Sequence, residues 1–429
     1  MSSLLWNKSG VLTDDSVMRF LAGEDVVLDR VLFVFDIRAT RAHVSGLGHA
    51  GLMVVSDVEQ IHKALAELET QWNDGRFVLD ERYEDGHSAI ESFLTDQLGD
   101  LGGRVHLGRS RNDQVIVATR LYMIDALDTL KGLLIDCALA ALERARQHEM
   151  DPMPGYTHLQ RAVPSSVGLW MGSFAESFGE SAELVGMTRR WIDSCPLGTA
   201  AGYGVNLPLA REEVSEMLGF ARVAINPMAA QASRGKYEHQ VVSAMWQAMQ
   251  DVRRLAWDLS LMSTQECGFV EMPTETMTGS SIMPNKKNPD LAELMRASCA
   301  TVGACMSELQ QLMSLPSGYH RDLQLTKPAL IRASRVTLDT LALVPGMIRG
   351  TKFNLDAMRR AIDPSMMATD RAVDLSAEGM PFREAYRIVG DSLDSLGETD
   401  PSASLEARVS PGGCANLGLD EMGERIEHL

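Results

Sequence analysis

The 429-residue chain is short of aromatic residues, with Phe, Trp and Tyr making up 6%, and it carries only six cysteines. Strands favour β-branched and aromatic side chains, so this scarcity, beside 25 methionines, argues for helices. Cys137, Cys195, Cys267, Cys299, Cys305 and Cys414 form no Cys-x-x-Cys pair. That spacing excludes a dense disulfide framework and suits free thiols in a reducing compartment. Positive charge is also scarce, 40 Lys plus Arg against 58 Asp plus Glu, for a net charge of −18. A polyanion needs a basic face, so nucleic acid is not an expected partner. No uninterrupted apolar run approaches the roughly 20 residues that cross a bilayer. Met1–Lys8 lacks an apolar signal core, and a cytoplasmic protein without a membrane partner is expected.

What is present is enough apolar surface for a large core. Hydrophobic residues make up 45% and charged residues 23%, which excludes global disorder, and the length suggests two or three domains. Helical periodicity dominates. Leu127, Leu130, Leu134, Cys137, Ala138, Ala141, Leu142 and Ala145 recur at steps of three and four, one stripe of a long helix over 126–148. Similar stretches run over about 237–266 and 289–314, the last with Asn288 as cap and Pro289 at the first helical position. Long helices without intervening strand signals predict an all-α extended bundle. The segments before about Gly108 and after about Gly350 are more broken. The expected division is therefore 1–108, a helical amino-terminal domain; 109–350, the central long-helix bundle; and 351–429, a small helical carboxy-terminal domain.

Four polar stretches between the helices suit chemistry better than a core. They are Arg104–Gln114, Gly155–Arg161, Gly279–Pro289 and Tyr319–Lys327. In Gly279-Ser-Ser-Ile-Met-Pro-Asn-Lys-Lys-Asn-Pro289, a flexible start leads into an anchored helix end, as in a lid. Amides at that helix end, with Lys286 and Asn288, would hold a carboxylate or oxyanion and favour a serine alkoxide. His158, between Thr157 and Gln160, can exchange a proton near neutral pH. Glu293 would orient it if the two meet. Arg109 and Arg111, around Ser110 and before Asn112, suit bidentate binding of carboxylates. Tyr319, Gln324 and Lys327 can grip a polar ligand. Taken one at a time, each stretch is described as well or better by a solvated loop, a surface histidine or an acid in a first helical turn. His-Glu-x-x-His and Gly-x-x-x-x-Gly-Lys-Ser/Thr patterns are lacking, and Gly198, Gly202 and Gly204 follow Pro196 rather than a strand.

The four stretches together carry more weight than any one of them. Gly279–Pro289 resembles the signature loop of the fumarase, aspartase and argininosuccinate lyase superfamily. Gly108-Arg-Ser-Arg-Asn-Asp-Gln114, Gly155-Tyr-Thr-His-Leu-Gln160 and Tyr319-His-Arg-Asp-Leu-Gln324 with Lys327 resemble the argininosuccinate lyase family in particular. Asp85, His87 and Glu91 also fit its pattern. The likeness is strong from about Glu84 to Lys327.

The resemblance implies an all-helical homotetramer with active sites shared between subunits. It implies elimination of fumarate from argininosuccinate to leave arginine, without metal or organic cofactor. By the same resemblance Ser280 is the base and His158 the acid or its relay, with the roles interchangeable. Glu293 is the partner of His158, and Lys286 and Asn288 stabilise the charged carboxylate. Ser110, Arg111, Asn112, Thr157, Tyr319, Gln324 and Lys327 belong to substrate binding. The chain departs from the family where Leu107 stands for a usual Thr and Asp25 for a usual Ser that touches substrate. It departs again near Ala210, usually Asp, and at Ser233-Arg234-Gly235, usually Asp-Arg-Asp. These changes leave open a sister lyase that releases fumarate from another succinyl-amine. A noncatalytic structural homologue is the remaining alternative.

Overall fold

A computed structural model describes residues 17, 20–21, 23–397 and 400–429. Its principal helices are α1 (Asp25–His49), α2 (Val55–Asn73), α3 (Gly86–Leu98), α4 (Arg111–Gln147), α5 (Val167–Ile192) and α6 (Arg211–Leu218). They continue with α7 (Lys236–Met262), α8 (Asp290–Gln311), α9 (Thr326–Leu341), α10 (Ala368–Ala377) and α11 (Phe382–Gly390). The all-α expectation holds. Strands among the described residues are confined to three two-stranded antiparallel ladders: β1 (Pro152–Thr157) with β2 (Gln160–Ser166), β3 (Val270–Glu271) with β6 (Lys352–Phe353), and β4 (Thr278–Gly279) with β5 (Lys287–Asn288).

The chain forms two compact units. Unit 1 comprises 1–129, 185–245 and 302–335; unit 2 comprises 130–184, 246–301 and 336–429. In unit 1, α1 packs on α2, α3 and α6. Its core is built on Phe33, Ile37, Val44, Ile61, Leu65, Leu68 and Leu94, all buried. Phe33 lies between Trp72 at 4.7 Å and Phe77 at 5.6 Å between ring centroids, a compact aromatic centre in a chain with few aromatics. In unit 2, α10 and α11 pack together around Ala372, Ala385 and Val389.

Local chemistry explains the helix ends. Asp85 caps α3 by accepting the Ser88 amide at 2.8 Å, while the Ser88 hydroxyl accepts the Asp85 amide at 3.1 Å, a reciprocal capping box. Ser110 does similar work for α4. Its hydroxyl oxygen accepts the Asn112 amide at 3.2 Å, and Asp113 reaches back to the Ser110 amide at 2.9 Å. The helix expected from Pro289 begins one residue later, at Asp290, with Pro289 just outside it.

Phe33→Ala removes the centre of the aromatic cluster. Urea unfolding should show a loss of about 3–5 kcal/mol with a lowered midpoint. A change below about 1 kcal/mol would show that this part of the core collapses around the gap.

Candidate active site

The site begins with a polar stripe on α1. Asp25, Asp29, Asp36 and Thr40 are spaced by four, seven and four residues, so they share one helix face. That face is buried at Asp29, Asp36 and Thr40, and each group is answered. Asp29 Oδ1 accepts Lys327 Nζ at 2.7 Å, and its Oδ2 accepts the Gly86 amide at 2.9 Å. Asp36 meets His87 Nδ1 at 2.5 Å, and Thr40 accepts the Arg109 guanidinium at 2.9 Å. Three separate pieces of chain are thereby fixed to one helix.

These contacts frame a cavity of about 210 Å³ within unit 1. Asp25, Glu84, Asp85, His87, Arg111, Asn112, Arg234, Tyr319, Arg321, Gln324 and Lys327 are among its lining residues. The expected binding residues Arg111, Asn112, Tyr319, Gln324 and Lys327 thus come together. Ser110 lies at the adjoining start of α4, in its capping role. Arg111 is already engaged, with Glu84 at 3.1 Å and with Asp85. Arg109 is turned away to Thr40. Lys327 is 4% exposed and sits between Asp29 and Asp25, the latter at 3.1 Å. Gln324 donates to the Leu21 carbonyl at 2.9 Å, and buried Arg234 ties down the same segment through the Leu323 carbonyl at 2.6 Å.

The charge states follow from burial and pairing. Burial opposes the Lys327 ammonium, but Asp29 and Asp25 hold its pKa above the ordinary lysine value. Burial raises the Asp25 carboxyl, and Lys327 offsets this only in part. For Asp85, burial is outweighed by His87, Arg111 and the Ser88 amide, which bring its pKa down to about 2. Burial disfavours the His87 imidazolium, yet Asp36, Asp85 and Asp29 raise its pKa above 6.5. Asp113 has no exposed surface and accepts amides from Gly198 at 3.1 Å and Ala200 at 2.9 Å, so it anchors the glycine-bearing loop after Pro196.

Unit 2 holds the remaining candidates. The polar stretch around His158 is a β-hairpin, in which Thr157 pairs with Gln160 and His158 and Leu159 form the two-residue turn. Both turn residues have positive φ, 55° and 57°, as this tight hairpin geometry requires, although neither is glycine. Thr157 and His158 are exposed. In the lid, the β4–β5 ladder pinches the base and leaves 280–286 as the tip. The Thr278 hydroxyl bonds Asp290 at the start of α8, which anchors that base. Ser280 Oγ accepts the Met283 amide at 3.0 Å and the Ile282 amide at 3.3 Å. Lys286 is exposed and Asn288 half-buried. Glu293 lies 3.5 Å from Arg296, and no contact to His158 is recorded among the described residues. No group of three His, Cys, Asp or Glu side chains is placed to hold a metal ion among those residues.

Asp29 and Asp36 are absent from the sequence-based expectations. Their signal was the spacing of acids at steps of four and seven along one helix. Carboxylates there are stable only if cations from elsewhere reach them.

The pairing has a pH signature. Asp85 has a folded pKa of about 2 against an ordinary 3.8. Its contribution to stability is complete above that ordinary value and is lost as pH falls through the folded one. Asp85→Asn should cost about 2 kcal/mol at neutral pH, with the gap from wild type closing as pH approaches about 2. An equal gap at both pH values in chemical denaturation would contradict this. His87 acts with the opposite sign: its contribution is complete below 6.5 and is lost as pH rises through its raised folded value.

Comparisons with known proteins show the family and the fold. A family described as "Lyase" matches residues 13–303. An argininosuccinate lyase of Stenotrophomonas maltophilia strain K279a is 50% identical over 430 aligned positions, covering 100% of both chains. One from Xylella fastidiosa strain Temecula1 is 50% identical over 100% of this chain and 97% of its own. Among solved structures, EDDS lyase in complex with formate superposes with a TM-score of 0.79 at 23% identity, over 97% of this chain and 91% of its own. A fumarate lyase from Mesorhizobium sp. BNC1 gives 0.71 at 20% identity, over 99% and 97%. The structural matches establish the fold, and the full-length sequence matches establish that the chain belongs to the argininosuccinate lyase family of the fumarase/aspartase superfamily.

Proposed function

We propose that the chain cleaves argininosuccinate to arginine and fumarate as a step of arginine biosynthesis. The observation that carries the reading is the environment of Ser280. Two backbone amides already point at its hydroxyl oxygen, which is the arrangement that stabilises an alkoxide and lets serine act as a base. The family's full-length members with that name support the choice of substrate.

The reaction removes a proton from the carbon beside a carboxylate and then breaks the bond to a guanidinium nitrogen. Ser280 takes the proton. The electron pair moves into the carboxylate, where the Lys286 ammonium and Asn288 amide oppose the growing charge. As the carbon–nitrogen bond breaks, His158 returns a proton to the leaving nitrogen. An exchange of roles between Ser280 and His158 preserves the same balance. Thr157, Asn112, Tyr319, Gln324 and Lys327 hold the substrate, with Ser110 and Arg111 shaping the start of α4.

We assign a homotetramer with shared active sites, in which Glu293 partners His158 of a neighbouring copy. The subunit divides as 1–108, 109–350 and 351–429, and the enzyme works in the cytoplasm. No helix among the described residues is long and apolar enough to cross a membrane.

Incubation with argininosuccinate should produce the ultraviolet absorbance of fumarate, with arginine in equal amount. No signal at high enzyme concentration would overturn the reading. Faster release from another N-succinyl amine would assign the chain to a sister lyase. Ser280→Ala should keep the wild-type oligomer and helical circular dichroism while kcat falls about 10²- to 10⁴-fold. Retained turnover would remove Ser280 as the base.

A further inference from the structure

The hairpin that carries His158 is fixed at its foot and open toward its tip. Pro152, Met153 and Pro154 are buried, whereas every residue from Tyr156 to Arg161 is exposed. The ladder register is interrupted between Pro154 and Tyr156, at Gly155, where a side chain would meet the Val163 carbonyl at 2.7 Å. Against the middle of the hairpin lies a cavity of about 470 Å³ within unit 2, lined among others by Gly155, Tyr156, Val163, Ser165, Val409 and Cys414. Side chains on that side therefore do not wedge the hairpin into one tilt. One charged contact does reach it. Arg161, opposite Tyr156 on the ladder and two residues past the turn, donates from Nη1 to Asp363 Oδ2 at 3.2 Å. Asp363 is itself held, because its Oδ1 accepts the Ser365 amide at 3.0 Å and the Ser365 hydroxyl. It thereby caps a short 3-10 turn, Pro364–Met367, whose Met366 and Met367 are buried. Among the described residues, no other hydrogen bond or ion pair joins the 156–161 tip to the chain outside the hairpin.

We propose that Arg161 is a positioning residue that, through Asp363, sets the tilt of the hairpin and with it the place of His158. The proposal rests on the proton transfer assigned above to His158 and adds what holds that group in place. Both members of the pair are about half exposed, 50% and 40%, so the pair adds little to stability. Its consequence is geometric. His158 stands three residues from Arg161 around a two-residue turn, so a change of tilt carries the imidazole with it. Proton transfer needs heavy atoms about 2.6–3.2 Å apart, and a misplacement of about 1 Å can cost on the order of 10²-fold in rate. Of the residues assigned to substrate binding, Thr157 rides on the same hairpin, whereas Asn112, Tyr319, Gln324 and Lys327 line the unit 1 cavity. Loss of the tie therefore acts on turnover more than on binding.

The test measures steady-state fumarate release from argininosuccinate by the full chain carrying Arg161→Gln, Asp363→Asn, both changes together, or Arg161→Lys. Each of the first two should lose about 10- to 100-fold in kcat while KM rises less than about fivefold, and the double variant should lose no more than the worse single one. Arg161→Lys, which keeps the charge, should stay within about fivefold of wild type. Melting temperatures should remain within about 4 °C of wild type throughout, as an exposed pair requires. A raised KM with kcat intact would make Arg161 a substrate contact. Multiplying losses in the double variant would make the two residues independent. Either result overturns the proposal, as would unchanged kcat in both single variants or an equal loss in Arg161→Lys and Arg161→Gln. Hydrogen exchange over 152–166 reads the tie without turnover. Both single variants should speed exchange near the turn by about tenfold, and unchanged exchange would overturn the proposal. Absence of fumarate release by wild type overturns the reaction instead, and the exchange comparison still decides whether Arg161 holds the hairpin.

Discussion

The contact between Asp29 and Lys327 holds the binding half of the molecule together. Both groups are almost fully buried, so neither charge has water to stabilise it. Asp29 lies on α1, Lys327 is the second residue of α9, and the second Asp29 oxygen takes the first amide of α3. Three segments far apart in sequence are thereby brought to one point. A buried pair of this kind adds little net stability over apolar packing, but loss of either partner strands a charge. Its value lies in position. With Lys327 fixed, Gln324 and Tyr319 are carried on the turn that precedes it. Through Asp85 and Gly86, the start of α3 is set against Arg111 and Asn112.

The segments proposed to be reactive are built differently. His158 stands at an exposed two-residue hairpin turn, and Ser280 on a loop whose base is pinched by a short ladder. Neither is locked by buried ion pairs. What each has is local backbone geometry: left-handed φ at the hairpin turn and two amides directed at the Ser280 hydroxyl. A rigid charged frame for recognition and exposed loops for chemistry is a common division of labour, because loops can close on a substrate while a scaffold keeps register. The −18 total charge is compatible with both. Lys327 and Arg111 are balanced by the acids they touch, and Arg321 lines the same cavity, so a negative chain still carries cations at this one place.

Much of the fold was legible because its signals are local. The apolar stripe from Leu127 to Ala145 falls inside α4, and the stretches near 237 and 289 became α7 and α8 within a few residues. The four polar segments were legible as a set through composition and resemblance. The hairpin around His158 was not, since neither His158 nor Leu159 is a residue that ordinarily adopts positive φ and the strands contain three prolines. The α1 stripe was missed because its meaning is nonlocal. Asp29 and Asp36 are ordinary helix residues until Lys327 and His87 are brought to them. Arg109 and Arg111 were expected to meet substrate carboxylates, yet in the folded chain Arg109 bonds Thr40 and Arg111 bonds Glu84 and Asp85. A guanidinium in sequence advertises its charge but not its partner.

The most direct measurement of this account is a double-mutant cycle on Asp29→Asn and Lys327→Met, read by chemical denaturation at neutral pH. Each single variant should lose about 3–5 kcal/mol by stranding a buried partner, and the double variant should lose clearly less than the sum, with a coupling of at least about 2 kcal/mol. Additive losses, within about 0.5 kcal/mol, would contradict the claim that this pair holds the binding frame together.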